Sequence, residues 1–132
     1  MKSTPFNPET DIAPIPFTDE VCHLAKQLKE KNLKWQPHVG CFVWDELRLV
    51  EAASPFPHRI YFILNLGHFL RRFQTTRNIA NRLVWLPTWH QALEIYKQLN
   101  IPHEKLVNAL RKKDPRESEM LVSLYQIILE HM

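Results

Sequence analysis

Apolar residues recur at helical spacing along much of the chain. Val21, Leu24, Ala25 and Leu28 follow the i, i+3, i+4, i+7 pattern of a one-sided helix. Thr18 is placed to cap it, and Asp19 and Glu20 suit the positive end of its dipole. The spacing predicts a helix from Asp19 to about Asn32, with Lys26, Lys29, Glu30 and Lys31 on a solvated outer face. Further on, Thr88-x-x-Gln91 reads as a capping box ahead of the apolar stripe Trp89, Ala92, Leu93, Tyr96 and Leu99. Asn100 suits the left-handed position that closes such a helix, with Ile101 folding back on it. Pro102 opens a helix carrying Leu106, Val107 and Leu110. Asp114-Pro115-x-Glu117 resembles the start of a terminal helix whose Met120, Leu121, Leu124, Ile127 and Ile128 face inward.

Two stretches read differently. Cys41-Phe-Val-Trp44 favours a strand with both faces apolar, and Leu47 to Ala52 is placed to return beside it through Asp45-Glu46, which predicts an antiparallel hairpin over residues 39–52. Ser54-Pro-Phe-Pro57 closes it, because proline cannot donate to a ladder. Ile60 to Leu64 has the composition of a buried strand, yet Phe62, Leu66, Phe69, Leu70 and Phe73 hold helical spacing. The reading favoured by that spacing is a helix from about His58 to Phe73; the competing one is a strand over 59–64 followed by a short helix. Thr75 or Thr76 then caps a short helix ending at Leu83, and Leu83-Val-Trp-Leu86 is an apolar connector or short strand. The expected fold is α+β and helix-dominated: about five helices, a small hairpin at 39–52 and one core. Residues 1–17, polar and spaced by prolines, are expected to form an extended arm, and residues 18–132 a single globular domain.

Length and composition agree with one domain. The chain has 132 residues, and 2 glycines against 10 prolines argue against glycine-rich phosphate loops, which need residues without a Cβ. The formal charge is +3, but it is unevenly distributed. Residues 58–113 carry 10 basic and 2 acidic groups, whereas the flanking stretches are net acidic, and no acid occurs between Glu51 and Glu94. The N-terminus has no apolar run suited to a signal-peptide core, and no stretch approaches the roughly 20 apolar residues of a membrane span. Cys22 and Cys41 are expected as packed, reduced thiols in a cytoplasmic protein.

The acid-free centre holds the candidate chemistry. Arg59, Arg71, Arg72, Arg77 and Arg82 supply its positive charge, together with His58, His68 and His90. Arginine presents a planar fork of donors that matches carboxylate and phosphate oxygens, whereas lysine would suffice for solubility. On a helix, His68, Arg71 and Arg72 would share one polar side, and Arg77, Asn78, Asn81 and Arg82 would share another. The bland alternative is an ordinary solvated face neutralised by the acidic termini. A second candidate is Trp85-Leu-Pro-Thr-Trp-His90, where a capped helix start beside His90, Trp85 and Trp89 resembles an anion site; its bland alternative is that both indoles pack in the core. Trp35 and Trp44 are expected in the core or as groove walls.

Other chemistries find less support. Cys22-His23 and His38-x-x-Cys41 lack the paired spacing of a zinc site, so no metal is expected. Cys41 in an apolar strand is expected to be inert, and Ser54 lacks the elbow of a serine nucleophile. Asp45 and Glu51 in a solvent-facing hairpin are not expected to have shifted acidity. Ile79-Ala80-x-x-Leu83 followed by 88–99 has some helix-turn-helix spacing but departs from it at Val84 to Pro87. The sequence therefore supports a non-enzymatic binding protein whose Arg/His band at 58–90 engages an anionic ligand, an acidic protein surface or, with less support, nucleic acid, without a cofactor. The alternatives are a small enzyme with His90 or His68 as acid-base group and Arg71 or Arg72 as clamp, a structural or oligomeric subunit, and a DNA reader.

Overall fold

In the computed structural model, residues 6–132 are described; the first five residues of the expected arm lie outside the described residues. Helix α1 (Asp19–Glu30) starts where the pattern places it, with the Thr18 side chain accepting from the Val21 amide. It ends at Asn32, whose φ of 68° turns the chain so that the Leu33 amide reaches the Leu28 carbonyl at 3.0 Å. Asparagine takes this left-handed position more readily than other residues with a Cβ.

The expected hairpin at 39–52 does not form. Strand β1 (Phe42–Trp44) instead pairs antiparallel with β2 (Ile60–Phe62) on one side and with β3 (Val84–Leu86) on the other, giving the order β2-β1-β3. Leu47 to Ala52 forms no strand because its donors are taken elsewhere. The Asp45 carboxylate accepts from the amides of Leu49 at 2.9 Å and Val50 at 2.8 Å.

The favoured helix over 58–73 is likewise replaced by its competitor, a strand and then a short helix. His58 and Arg59 have φ of 61° and 62°, a left-handed pair that no right-handed helix can contain. Ile60, Tyr61 and Ile63 are all buried, so both faces of this segment are covered, as a central layer requires and a one-sided helix does not. Asn65 then caps α2 (Leu66–Phe73) through the Gly67 amide at 2.9 Å. Gly67 stands in the first turn, where a Cβ would meet Asn65 Oδ1 at 3.0 Å, so the glycine permits the cap.

Helix α3 (Thr76–Arg82), capped by Thr75, leads directly into β3. Helix α4 (Trp89–Gln98) has the expected capping box and closes through Asn100 at φ 56°. Helix α5 (His103–Arg111) follows Pro102, and α6 (Glu117–Glu130) begins after Arg116; Asp114 is not its cap. Six helices and three strands are thus described, where about five helices and two strands were expected.

The small sheet divides the interior. Phe42, Trp44, Ile60, Val84 and Leu86 face one core with α1, α4, α5 and α6, while Val43, Tyr61 and Ile63 face a second with Phe69, Phe73, Ile79 and Leu83 of α2 and α3. This follows from the period of two along a strand. The expected single core is two, one on each face of the sheet. Cys22 belongs to the first and Cys41 to the second, and both thiols are free. No helix among the described residues is long and apolar enough to cross a membrane.

Candidate anion-binding surface

The cations of the acid-free centre divide into two groups. Arg59 is held inside the fold: its Nη2 lies 2.6 Å from Asp45 Oδ2 and donates to the Val50 carbonyl, also at 2.6 Å. Asp45 is fully buried, which corrects the expectation of a solvent-facing carboxylate there. His58 Nδ1 lies 3.6 Å from Asp19 Oδ1. The loop between them is pinned further by Ser54, which donates to the Ile60 carbonyl, and by Tyr61, which donates to the Ala52 carbonyl at 2.6 Å.

Arg71, Arg72, Arg77 and Arg82 are exposed on α2 and α3, and among the described residues none forms an ion pair with Glu117, Glu119 or Glu130. The C-terminal acids therefore do not neutralise this face by contact. Arg72 Nε donates to the Leu49 carbonyl at 2.8 Å, and its guanidinium sits 5.7 Å from the centre of the Phe73 ring. These contacts orient the fork while leaving its remaining donors free. Arg72, Asn78 and Arg82 line one pocket of about 180 Å³ with Gln74, Phe73 and Leu49. Asn78 is fixed there by donating to the Phe73 carbonyl at 2.8 Å.

On the opposite flank of α3 lies a groove of about 780 Å³. Arg77, Thr76, Ala80 and Asn81 form one wall; the segment from Asn32 to Pro37 that follows α1 forms the other. Helical spacing explains the division. Ile79 and Leu83 point into the core, which leaves Arg77 and Ala80 on one flank, Asn78 and Arg82 on the other. Trp35 lines the groove and is stacked on Trp85, with ring centres 5.6 Å apart and planes 12° from parallel. Lys29, expected on a solvated face, donates to the Asn81 carbonyl at 2.7 Å and the Leu83 carbonyl at 3.3 Å. It caps the C-terminal end of α3, and burial pulls its pKa down. Lys34 and Arg77 are the exposed cations of the groove. Neither cavity is lined by an aspartate or glutamate among the described residues.

The remaining candidates are not brought to these cavities. His68 and Arg71 are exposed on α2 but line neither. His90 is exposed on α4 and lines neither. The helix start beside it is satisfied internally, Thr88 Oγ1 accepting from the Gln91 amide and Gln91 Oε1 from the Thr88 amide. Trp85 and Trp89 are partly buried and pack against the core, the bland alternative for both; the Trp85 Nε1 is buried without a protein partner. Strand β3 occupies the place of the turn that a helix-turn-helix would need between α3 and α4.

The two thiols are withdrawn from chemistry. Burial pushes Cys22 up to about 12, with Asp19 adding to the effect, and burial raises Cys41 as well. No group of three or more histidine, cysteine, aspartate or glutamate side chains suited to a metal ion is found among the described residues. Trp35, expected in the core or as a groove wall, lines the groove; Lys34 and Gln36 had no signal in the sequence, because their place beside α3 depends on the left-handed turn at Asn32. Comparison with protein-family models, curated proteins and solved structures finds no match.

Proposed function

We propose that this chain is a non-enzymatic binding protein that engages an anionic partner through the α2–α3 face, working in the cytoplasm, where its two buried thiols stay reduced. One observation carries the reading: Arg72 and Arg82 line the same pocket of about 180 Å³, and no carboxylate lines it among the described residues. Two exposed guanidinium groups lining one cavity with no carboxylate beside them give it a positive charge that an anion would balance. Arginine's fork offers bidentate hydrogen bonds to a phosphate or carboxylate, and Gln74, which lines the same space, carries a side-chain amide that can donate as well.

The test compares thermal unfolding in sodium phosphate and in sodium chloride at equal ionic strength, for the wild type and an Arg72→Ala, Arg82→Ala double variant. A ligand that binds the folded state alone stabilises it by about 1.4 kcal/mol at ten times its Kd. The wild type is expected to gain this phosphate-specific increment and the double variant to lose it. Phosphate also stabilises proteins generally by exclusion from their surfaces, so equal increments in the two proteins would overturn the reading.

The oligomeric-subunit alternative keeps one observation of its own. Val39, Phe62 and Leu64 are exposed apolar residues around the outer strand β2, whose far edge has no strand partner among the described residues. Light scattering behind size exclusion tests it: a dimer that Phe62→Lys dissociates supports it, and a monomer removes it.

A further inference from the structure

The groove between the 32–37 segment and α3 differs in chemistry from the arginine pocket. Both cavities combine charge with side-chain amides, but only the groove is walled by an indole, Trp35, backed by a second one. Trp35 supplies the wall, and its stacking on Trp85 holds the indole in a fixed plane. Lys34 and Arg77 supply exposed positive charge on opposite sides; Asn81 and the Gln36 carbonyl oxygen supply polar groups of the kind that pair with base edges, while Gln36 Nε2 donates across the groove to Thr76 Oγ1 at 3.4 Å.

We infer that this groove binds single-stranded nucleic acid, with a base stacked against Trp35, phosphates beside Lys34 and Arg77, and the strand crossing α3 into the Arg72–Arg82 pocket. The inference rests on the anion-binding reading and adds the class of ligand. Helix α3 is the ridge between the two cavities, and a helix with its side chains is about 10 Å across, a width that a few nucleotides span. Binding by an electrostatic groove with an aromatic platform is tolerant of sequence, because every base has a π-face. A duplex fits less well. Its bases are stacked on each other and cannot reach a tryptophan in a groove wall, and α3 has seven residues flanked by concave surfaces, not a long convex helix for a major groove. An acidic peptide would satisfy Lys34 and Arg77 but would leave the indole and amides without a matching group.

Fluorescence anisotropy of labelled ten-nucleotide uridine and thymidine strands, titrated with the full chain from low to moderate salt, tests this. Saturable binding of either strand is expected, with log K falling as log salt rises by roughly 0.7 for each phosphate contacted. Lys34→Glu and Arg77→Glu, both at exposed positions, should each weaken binding at least tenfold, because reversal adds repulsion to the lost contact. Trp35→Ala should weaken it by about tenfold or more and Trp35→Phe by much less. Since Trp35→Ala also removes the stack on Trp85, thermal unfolding confirms that each variant is folded, and the two charge reversals carry the test if it is not. Three results would overturn the inference: a strand bound no better than polyglutamate of equal charge, a duplex bound as tightly as the strand, or charge reversals without effect. If the phosphate increment persists while strands fail to bind, this inference falls alone; if both are missing, the anion-binding reading falls with it.

Discussion

Arg59 and Arg72 are both arginines beside the loop that follows β1, and both donate to a carbonyl of that loop, yet the fold treats them in opposite ways. Arg59 closes on Asp45, which is fully buried and also accepts from the Leu49 and Val50 amides, so every charge in that cluster is matched. Arg72 meets the Leu49 carbonyl and then faces a pocket shared with Arg82 and no carboxylate. The lesson is that a run of like-signed residues is not one surface. One member locks the loop; Arg72, Arg77 and Arg82 are left charged at two cavities on either side of α3, and Arg71 is exposed on α2 away from both.

The largest expected effect lies in the locked cluster. Asp45→Ala would leave the Leu49 and Val50 amides without their acceptor and the half-buried Arg59 without its counter-charge; leaving part-buried donors without an acceptor costs about 1–3 kcal/mol. Urea denaturation measures it. A loss below about 1 kcal/mol would mean that the loop holds itself without the cluster, and would break the contrast with the α2–α3 face.

A second effect separates interior groups that resist ionisation from surface groups that stay charged. The Cys22 thiol is pushed from its ordinary 9.0 up to about 12 by burial and by Asp19. The unfolded chain therefore releases this proton first, and stability that is complete below pH 9 falls as pH rises from 9 towards 12, by up to about 1.4 kcal/mol per pH unit. Burial pushes Tyr125 upward as well, which acts in the same direction. Urea midpoints measured between pH 8.5 and 11 should fall steadily, and Cys22→Ser should flatten the slope. A rising midpoint would contradict the burial that divides Cys22 from the solvent.

Smaller still is the cap of α4. Thr88→Ala removes the acceptor for the Gln91 amide and should cost about 1 kcal/mol by denaturation, without altering any response to phosphate. Smallest in stability are Arg72→Ala and Arg82→Ala, each expected within about 0.5 kcal/mol of the wild type in chloride, because neither removes a matched charge. A cost of several kcal/mol for either would place it with Arg59 as part of the fold.

Local signals were legible in the sequence and long-range ones were not. Thr18, Thr88 with Gln91, and Asn100 act where their neighbours alone would place them, because capping is settled within four residues. The two-faced apolar run at 41–44 is a strand for the same reason. Its partners were misread, since strands of three residues carry little register information and the Asp45 carboxylate removes the donors that a hairpin at 39–52 would use. The periodicity of Phe62 to Phe73 described a helix only from Leu66 onward, and two left-handed residues at 58 and 59 were invisible to it. On the candidate surface the polar residues of α2 and α3 were legible but not their grouping: the expected common side of Arg77, Asn78, Asn81 and Arg82 is split, Asn78 and Arg82 lining a pocket with Arg72 while Arg77 and Asn81 line the groove. Lys34 was not legible, because it reaches α3 only through the left-handed turn at Asn32; Trp35 was legible as a core or groove-wall residue, and His90 is exposed on α4 away from both cavities.

The central claim is that Arg72 and Arg82 hold their charge for a ligand while Arg59 holds its own for the fold. The most direct test is an NMR titration of the arginine Nε–Hε resonances with inorganic phosphate at constant ionic strength. Saturable, concerted shifts of Arg72 and Arg82 with Arg59 unmoved are the predicted result. Shifts that fail to saturate, or that are equal at Arg59, Arg82 and the exposed Arg111, would reduce the effect to general screening and contradict the claim.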